Sequence, residues 1–115
     1  MKTLLLALSM FSLSVSALAA DAVKGADYMK KNNCAACHGD DYVKSTDASI
    51  PKLAGQHQDY LVQALRQYRA GDSKTAALAR NNAIMSAQAK KMTNTDIDNI
   101  SAYLAGLKGD LLVRK

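Results

Sequence analysis

An all-α domain is the fold class this sequence predicts, and three observations carry it. Beyond residue 20 no Val/Ile-rich run alternates apolar with polar side chains, so no strand is signalled. Leu61, Leu65 and Tyr68, and later Ile97, Ile100, Leu104 and Leu107, recur at the spacing that lines one face of a helix. Residues that start and stop helices stand at the edges of both segments.

The first segment is not expected in the working protein. Met1-Lys2-Thr3 brings one positive charge, Leu4 to Leu18 carries none, and Ala17-Leu18-Ala19 offers a small-x-small cleavage pattern. That is a secretory signal peptide, residues 1–19, cut after Ala19 or Ala20. An uncleaved anchor is the competing reading, because the apolar run is nearly long enough to span a bilayer. The small residues at its end favour the peptidase. Residues 20–115 then form one domain of about 95 residues.

Within that domain four helices are expected. Asp21 caps a first one running to Lys31, closed by Asn32-Asn33. A second runs from Gln58 to Arg69, with Gly71 as its stop. A third, short, holds Met85, Ala89 and Met92 on one face. The last starts at Thr95, with Asp98 in the acidic position of a capping box, and ends at Gly109. There is no repeat or low-complexity tract. Residues 39–56 read as one long irregular stretch, unusual in so small a domain unless it wraps a ligand.

Composition points to a ligand as well. The only Phe, Phe11, lies in the signal peptide, and there is no Trp. Five tyrosines remain: Tyr28, Tyr42, Tyr60, Tyr68 and Tyr103. A domain of this size buries only part of its surface and is marginal without help. Lys and Arg outnumber Asp, no Glu occurs, and the chain is net +5. A basic face would steer the protein toward an acidic partner, although Lys24, Lys44, Lys52, Lys74 and Lys108 are scattered as on an ordinary solvated surface. Nothing suggests a nucleic-acid module.

The chemistry lies at Cys34-Ala35-Ala36-Cys37-His38. Two Cys and two His placed at random in 115 residues fall into this pattern about once in three thousand chains. Two thiols three residues apart can each add to a vinyl group of one haem, and the adjoining imidazole then reaches the iron. Three other readings compete. A thioredoxin-like redox pair belongs in a βαβ setting, which is missing here. A zinc site needs two more ligands, and only His57 is left. A Cys34–Cys37 disulfide would close too short a loop to stabilise a domain much.

The haem motif, Ile50-Pro51-Lys52-Leu53-Ala54-Gly55-Gln56, Tyr60-Leu61, and Met85 with the closing helix around Ala102-Tyr103-Leu104 together resemble a class I c-type cytochrome. The likeness is to the monohaem members of the bacterial cytochrome c553/c5/c4-like group and covers essentially the whole mature chain. One departure stands out: c4 proteins carry two haem motifs and this chain carries one. The resemblance implies a small cytochrome c fold of about four helices wrapped round one covalently bound haem c. It implies thioether bonds at Cys34 and Cys37 and iron ligation by His38. It makes the carbonyl of Pro51 the acceptor for the other nitrogen of that imidazole. Gly25 and Tyr103 match the place where the first and last helices cross.

The sixth iron ligand is expected to be Met85, which matches the family's position and follows the Asn-rich segment Arg80-Asn81-Asn82. Met92 is the alternative and otherwise a core residue. Met29 lies just before the haem motif, on the His38 side of the ring, and can hardly cross it. His57 sits among Gln56, Gln58 and Asp59 and reads as exposed.

Imidazole on one side and thioether on the other favour ferrous iron and raise the reduction potential. With both axial positions filled, no substrate reaches the metal. The expected function is therefore electron transport in the periplasm, by a carrier rather than an enzyme. The alternative is a haem-bearing subunit of a periplasmic dehydrogenase or oxidase complex. A ligand-binding or peroxidatic haem would need an open sixth position. Partners are expected to be redox proteins with acidic docking surfaces, met in transient complexes by a monomer without stable membrane insertion.

Overall fold

The computed structural model describes residues 19–71 and 80–110; residues 1–18, which hold nearly all of the expected signal peptide, lie outside the described residues, as do 72–79 and 111–115. Five helices and no strand occur among the described residues: α1 (Ala22–Lys31), α2 (Ala35–His38), α3 (Gln58–Ala70), α4 (Ala83–Ala89) and α5 (Asn94–Gly106). The helix beyond the expected four is α2. It is a single turn, too short for any apolar period to reveal.

α1 begins where Asp21 can cap it. Its carboxylate accepts from Val23 N at 3.0 Å and Lys24 N at 3.2 Å, satisfying donors that have no partner inside the helix. The Asp21 backbone N–H donates to Asn99 Oδ1 at 2.7 Å, so the same residue that starts α1 ties it to α5. Lys30 and Lys31 in the last turn suit the negative end of the helix dipole.

One turn into α1, Gly25 is buried against α5. A Cβ there would stand 2.1 Å from the carbonyl oxygen of Asn99 and 2.9 Å from Ile100 N. The two helices therefore meet backbone to backbone. Tyr103 is the other residue expected near this crossing. It lies one turn further along α5 and meets the buried Tyr42 edge to face, with ring centroids 6.1 Å apart.

α5 starts two residues earlier than the sequence suggested. Thr93 Oγ1 accepts from Asp96 N at 3.1 Å, and the Asp96 carboxylate accepts from Thr93 N at 2.8 Å, closing a capping box. Thr95 is already helical, and Asp98 reaches across to Arg66 on α3 at 3.5 Å instead. The helix also stops before Gly109, at Gly106, because Leu107 turns extended. Gly109 has a different reason to be glycine: a Cβ would collide with the carbonyl of Ala54. α4 likewise ends at Ala89, which leaves Met92 in the connection to α5.

Between α2 and α3 the chain forms no regular element, as expected, and is held by local bonds. The Asp41 carboxylate accepts from Val43 N at 2.9 Å and Lys44 N at 2.8 Å, and these bonds hold its pKa below the usual carboxylate range. That stabilisation is complete above the ordinary range and is lost as pH falls through the lowered value. Leu53 N and Ala54 N both donate to the carbonyl of Tyr42, and Gly55 N donates to that of Leu104 at 2.9 Å. The loop is thereby fastened to itself and to the end of α5. Met29, Leu61, Leu65, Met92, Ile97, Ile100 and Leu104 form the buried apolar cluster beneath it.

Gly25→Ala should lower the stability of the holoprotein by about 1–3 kcal/mol, because the helices must part to admit the methyl group. Gly106→Ala is the control, since a Cβ there meets nothing within 4 Å. It should be neutral or stabilise by up to about 1 kcal/mol. Denaturant unfolding followed by circular dichroism compares the two.

Candidate functional site

The site grows from the single turn of α2. Asn33, with φ 53°, reverses the chain after α1, and Cys34 N donates to Met29 O at 3.1 Å. The carbonyl of Cys34 then accepts from Cys37 N at 3.3 Å and His38 N at 3.1 Å. Residues three and four apart share a face of a helix, so one turn sets both sulfurs and the imidazole on the wall of the same cavity. Both cysteines are free thiols. Cys34 is half-buried, and that burial pushes its thiol pKa up, while Cys37 is exposed. Among the described residues no three His, Cys, Asp or Glu side chains gather closely enough to hold a metal ion.

His38 is 6 % exposed, and its Nδ1 stands 3.0 Å from the carbonyl oxygen of Pro51. A carbonyl can only accept, so Nδ1 carries the proton and Nε2 keeps the lone pair. The Pro51 segment is itself fixed: Ser45 Oγ donates to Ile50 O at 2.8 Å, and Thr46 N to Cys37 O at 3.0 Å. Gly39 makes the sharp exit from α2 possible. Its φ is 84°, and a Cβ would lie 2.1 Å from the carbonyl oxygen of Lys44.

Met85 reaches the cavity from α4. Asn82 caps that helix by accepting from Met85 N at 3.0 Å, so the Asn-rich turn ahead of the methionine fixes its backbone directly. Met29 and Met92 line the cavity too, but both belong to the buried core, at 2 % and 8 % exposure. Met85 is partly buried and packs against that core from outside. His57 stands at the first position before α3 without a side-chain bond to it, is exposed, and is absent from the cavity wall.

The cavity measures about 230 Å³, and Leu61, Leu65, Ile100 and Leu104 supply much of its apolar wall. The sequence reading missed a group beside it. Arg80, Tyr60 and Tyr68 all line the cavity, with the guanidinium 5.5 Å from each ring centre. Helical spacing could have placed the two tyrosines on one face of α3. Nothing local marks Arg80, whose partners come from another helix. Lys52, also on the wall, pairs with Asp110 at 2.5 Å.

Residues 22–108 match the family model described as Cytochrome c. The chain is 36% identical over 74 residues to cytochrome c4 of Azotobacter vinelandii, a match covering 64% of this chain and 34% of that one. It is 36% identical over 85 residues to cytochrome c-554(548) of Halomonas halodenitrificans, covering 74% and 94%. Its fold is similar to the crystal structure of reduced cytochrome c4 from Pseudomonas stutzeri, with TM-score 0.68, 31% identity, and coverage of 80% and 48%. The chain thus spans about a third of the curated cytochrome c4 it matches and nearly all of the c-554(548).

A cavity of this size has an energetic consequence. Left empty, it exposes apolar side chains such as Leu61, Leu65, Ile100 and Leu104 to water in a domain small enough to be marginal without help. The haem-free chain should therefore be largely unfolded, giving weak helical circular dichroism and no cooperative melt. A cooperative, fully helical apo form would show that the core closes without its ligand.

Proposed function

The chain belongs to the cytochrome c family, and on that premise we propose that it carries single electrons between redox proteins through one covalently attached haem c. The observation that carries the reading is a single cavity lined by Cys34, Cys37, His38 and Met85 within apolar walls. These residues fit the group: two thiols one helical turn apart, an imidazole whose free lone pair is on Nε2, and a thioether. Haem c supplies the ferric/ferrous couple.

In this proposal each residue has a separate task. Cys34 and Cys37 hold the ring by thioether bonds, so the cofactor cannot dissociate. His38 gives Nε2 to the iron, and Pro51 O fixes the tautomer and plane of the imidazole through the 3.0 Å bond at Nδ1. Met85 would supply a thioether sulfur to the iron, a soft donor that favours the ferrous state. Leu61, Leu65, Ile100 and Leu104 keep water from the ring, which holds the charge change in a low-dielectric setting. Ligated by both His38 and Met85, the iron would be left no open position for a substrate, which suits electron transfer rather than catalysis.

Place and partners complete the proposal. The export signal expected in residues 1–19 implies a periplasmic carrier, and no described helix is long and apolar enough to cross a membrane. Lys30 and Lys31 at the end of α1 suit a partner with an acidic face.

Met85→Ala tests the ligand set. The haem should stay covalently bound, but the weak charge-transfer band at the red end of the ferric spectrum, which marks iron–sulfur ligation, should vanish. The reduction potential should fall, and the ferrous variant should bind carbon monoxide where the parent does not. Met92→Ala should cost about 2–5 kcal/mol as a core truncation and keep the band. The reverse pattern would exchange the roles of the two methionines.

A further inference from the structure

α4 and its flanks are strapped to α3 at two points. At one end Arg80 N donates to Gln67 O at 3.2 Å and Arg80 Nε to Gln67 Oε1 at 2.8 Å, while Arg80 NH2 donates to Tyr60 Oη at 3.0 Å. The guanidinium also lies 5.5 Å from the ring centres of Tyr60 and Tyr68, within reach of both π faces. At the other end Arg69 on α3 donates to Met92 O at 3.2 Å and to Asn94 Oδ1 at 2.7 Å. Between these points α4 has only seven residues, of which Ser86 and Ala89 are its buried members. So small an apolar face contributes little by itself, since burying a methyl or methylene is worth about 0.8 kcal/mol. Among the described residues the buried hydroxyl of Ser86 has no hydrogen-bond partner.

We propose that Arg80 is a positioning residue for the sulfur of Met85, its forked contacts to Gln67, Tyr60 and Tyr68 holding the 80–85 segment closed over the cavity. The inference rests on Met85 being the iron ligand and adds what keeps it there. Arg80 leads directly to Asn82, whose carboxamide caps the backbone of Met85, so a displacement at Arg80 passes through two residues to the ligand. The hydrogen bonds need the fork of a guanidinium, which a lysine cannot reproduce. Releasing the anchor should raise the fraction of molecules with the sulfur off the iron, without removing the sulfur.

Imidazole titration of the ferric holoprotein measures that fraction, because an added ligand binds only when the sixth position opens and its apparent affinity scales with the open population. Arg80→Leu should raise the apparent affinity for imidazole about tenfold, and Arg80→Lys by a similar factor. Gln67→Leu and Tyr60→Phe, each removing part of the anchor, should raise it several-fold. Ile97→Val, a core truncation in α5, should lower global stability and leave the imidazole affinity within about twofold. An unchanged affinity in Arg80→Leu overturns the proposal, and so does full rescue by Arg80→Lys, which would assign the effect to charge. An equal rise in Ile97→Val also overturns it, by reducing the effect to general stability. Met85→Ala separates the two levels. Retention of the charge-transfer band there defeats the ligand reading, whereas its loss alongside an unaltered Arg80→Leu defeats the anchor alone.

Discussion

A side chain on Gly25 would collide with the carbonyl of Asn99, so α1 and α5 rest on each other's backbone, and the rest of the structure is laid out from that contact. Close approach brings Asp21 within hydrogen-bonding distance of Asn99 at the start of α1. It also fixes the direction in which α1 delivers the chain to Asn33 and the turn of α2. Because α2 is a single turn, it cannot set its own orientation; it inherits that of α1. The cysteines and His38 are aimed by a helix crossing at the far end of α1.

The irregular segment between α2 and α3 finishes what that crossing begins. A loop of this length needs internal bonds to hold a shape, and here they converge on Tyr42, whose carbonyl accepts from both Leu53 and Ala54. Tyr42 takes a left-handed backbone, φ 56°, and is buried against Tyr103. An L residue rarely adopts that conformation without compensation. The compensation is the aromatic contact together with the two accepted bonds. The result is that Pro51 O is presented to His38 Nδ1 from a fixed direction.

The wall contributed by α4 is built on a different plan. Where α1 and α5 are joined by backbone contact, the segments flanking α4 are tied to α3 through two arginines, Arg80 before α4 bonding Gln67, and Arg69 on α3 bonding Met92 and the start of α5. Hydrogen bonds to an exposed or half-exposed guanidinium are worth less than buried packing and open more readily. The protein thus pairs a rigid side, bearing Cys34, Cys37 and His38, with a tethered side bearing Met85.

Much of the candidate site was legible in the sequence because its Cys and His residues are local. Cys34, Cys37 and His38 fall on one helical turn, so spacing alone brings them together, and the caps at Asp21 and Gly71 are likewise readable from neighbours. The helical periods of α3 and α5 determined which faces are apolar. Tertiary structure decided the remainder. Thr93 rather than Thr95 caps α5, its hydroxyl and the Asp96 carboxylate closing the box, while Asp98 faces Arg66 on another helix. Tyr103 meets Tyr42 edge to face, a partner that lies in the irregular segment after α2. Arg80 becomes part of the cavity wall through Gln67, Tyr60 and Tyr68 on α3. A local pattern reports the face on which a residue lies; its partner depends on how distant helices cross, and that angle is set by contacts between residues far apart in the chain.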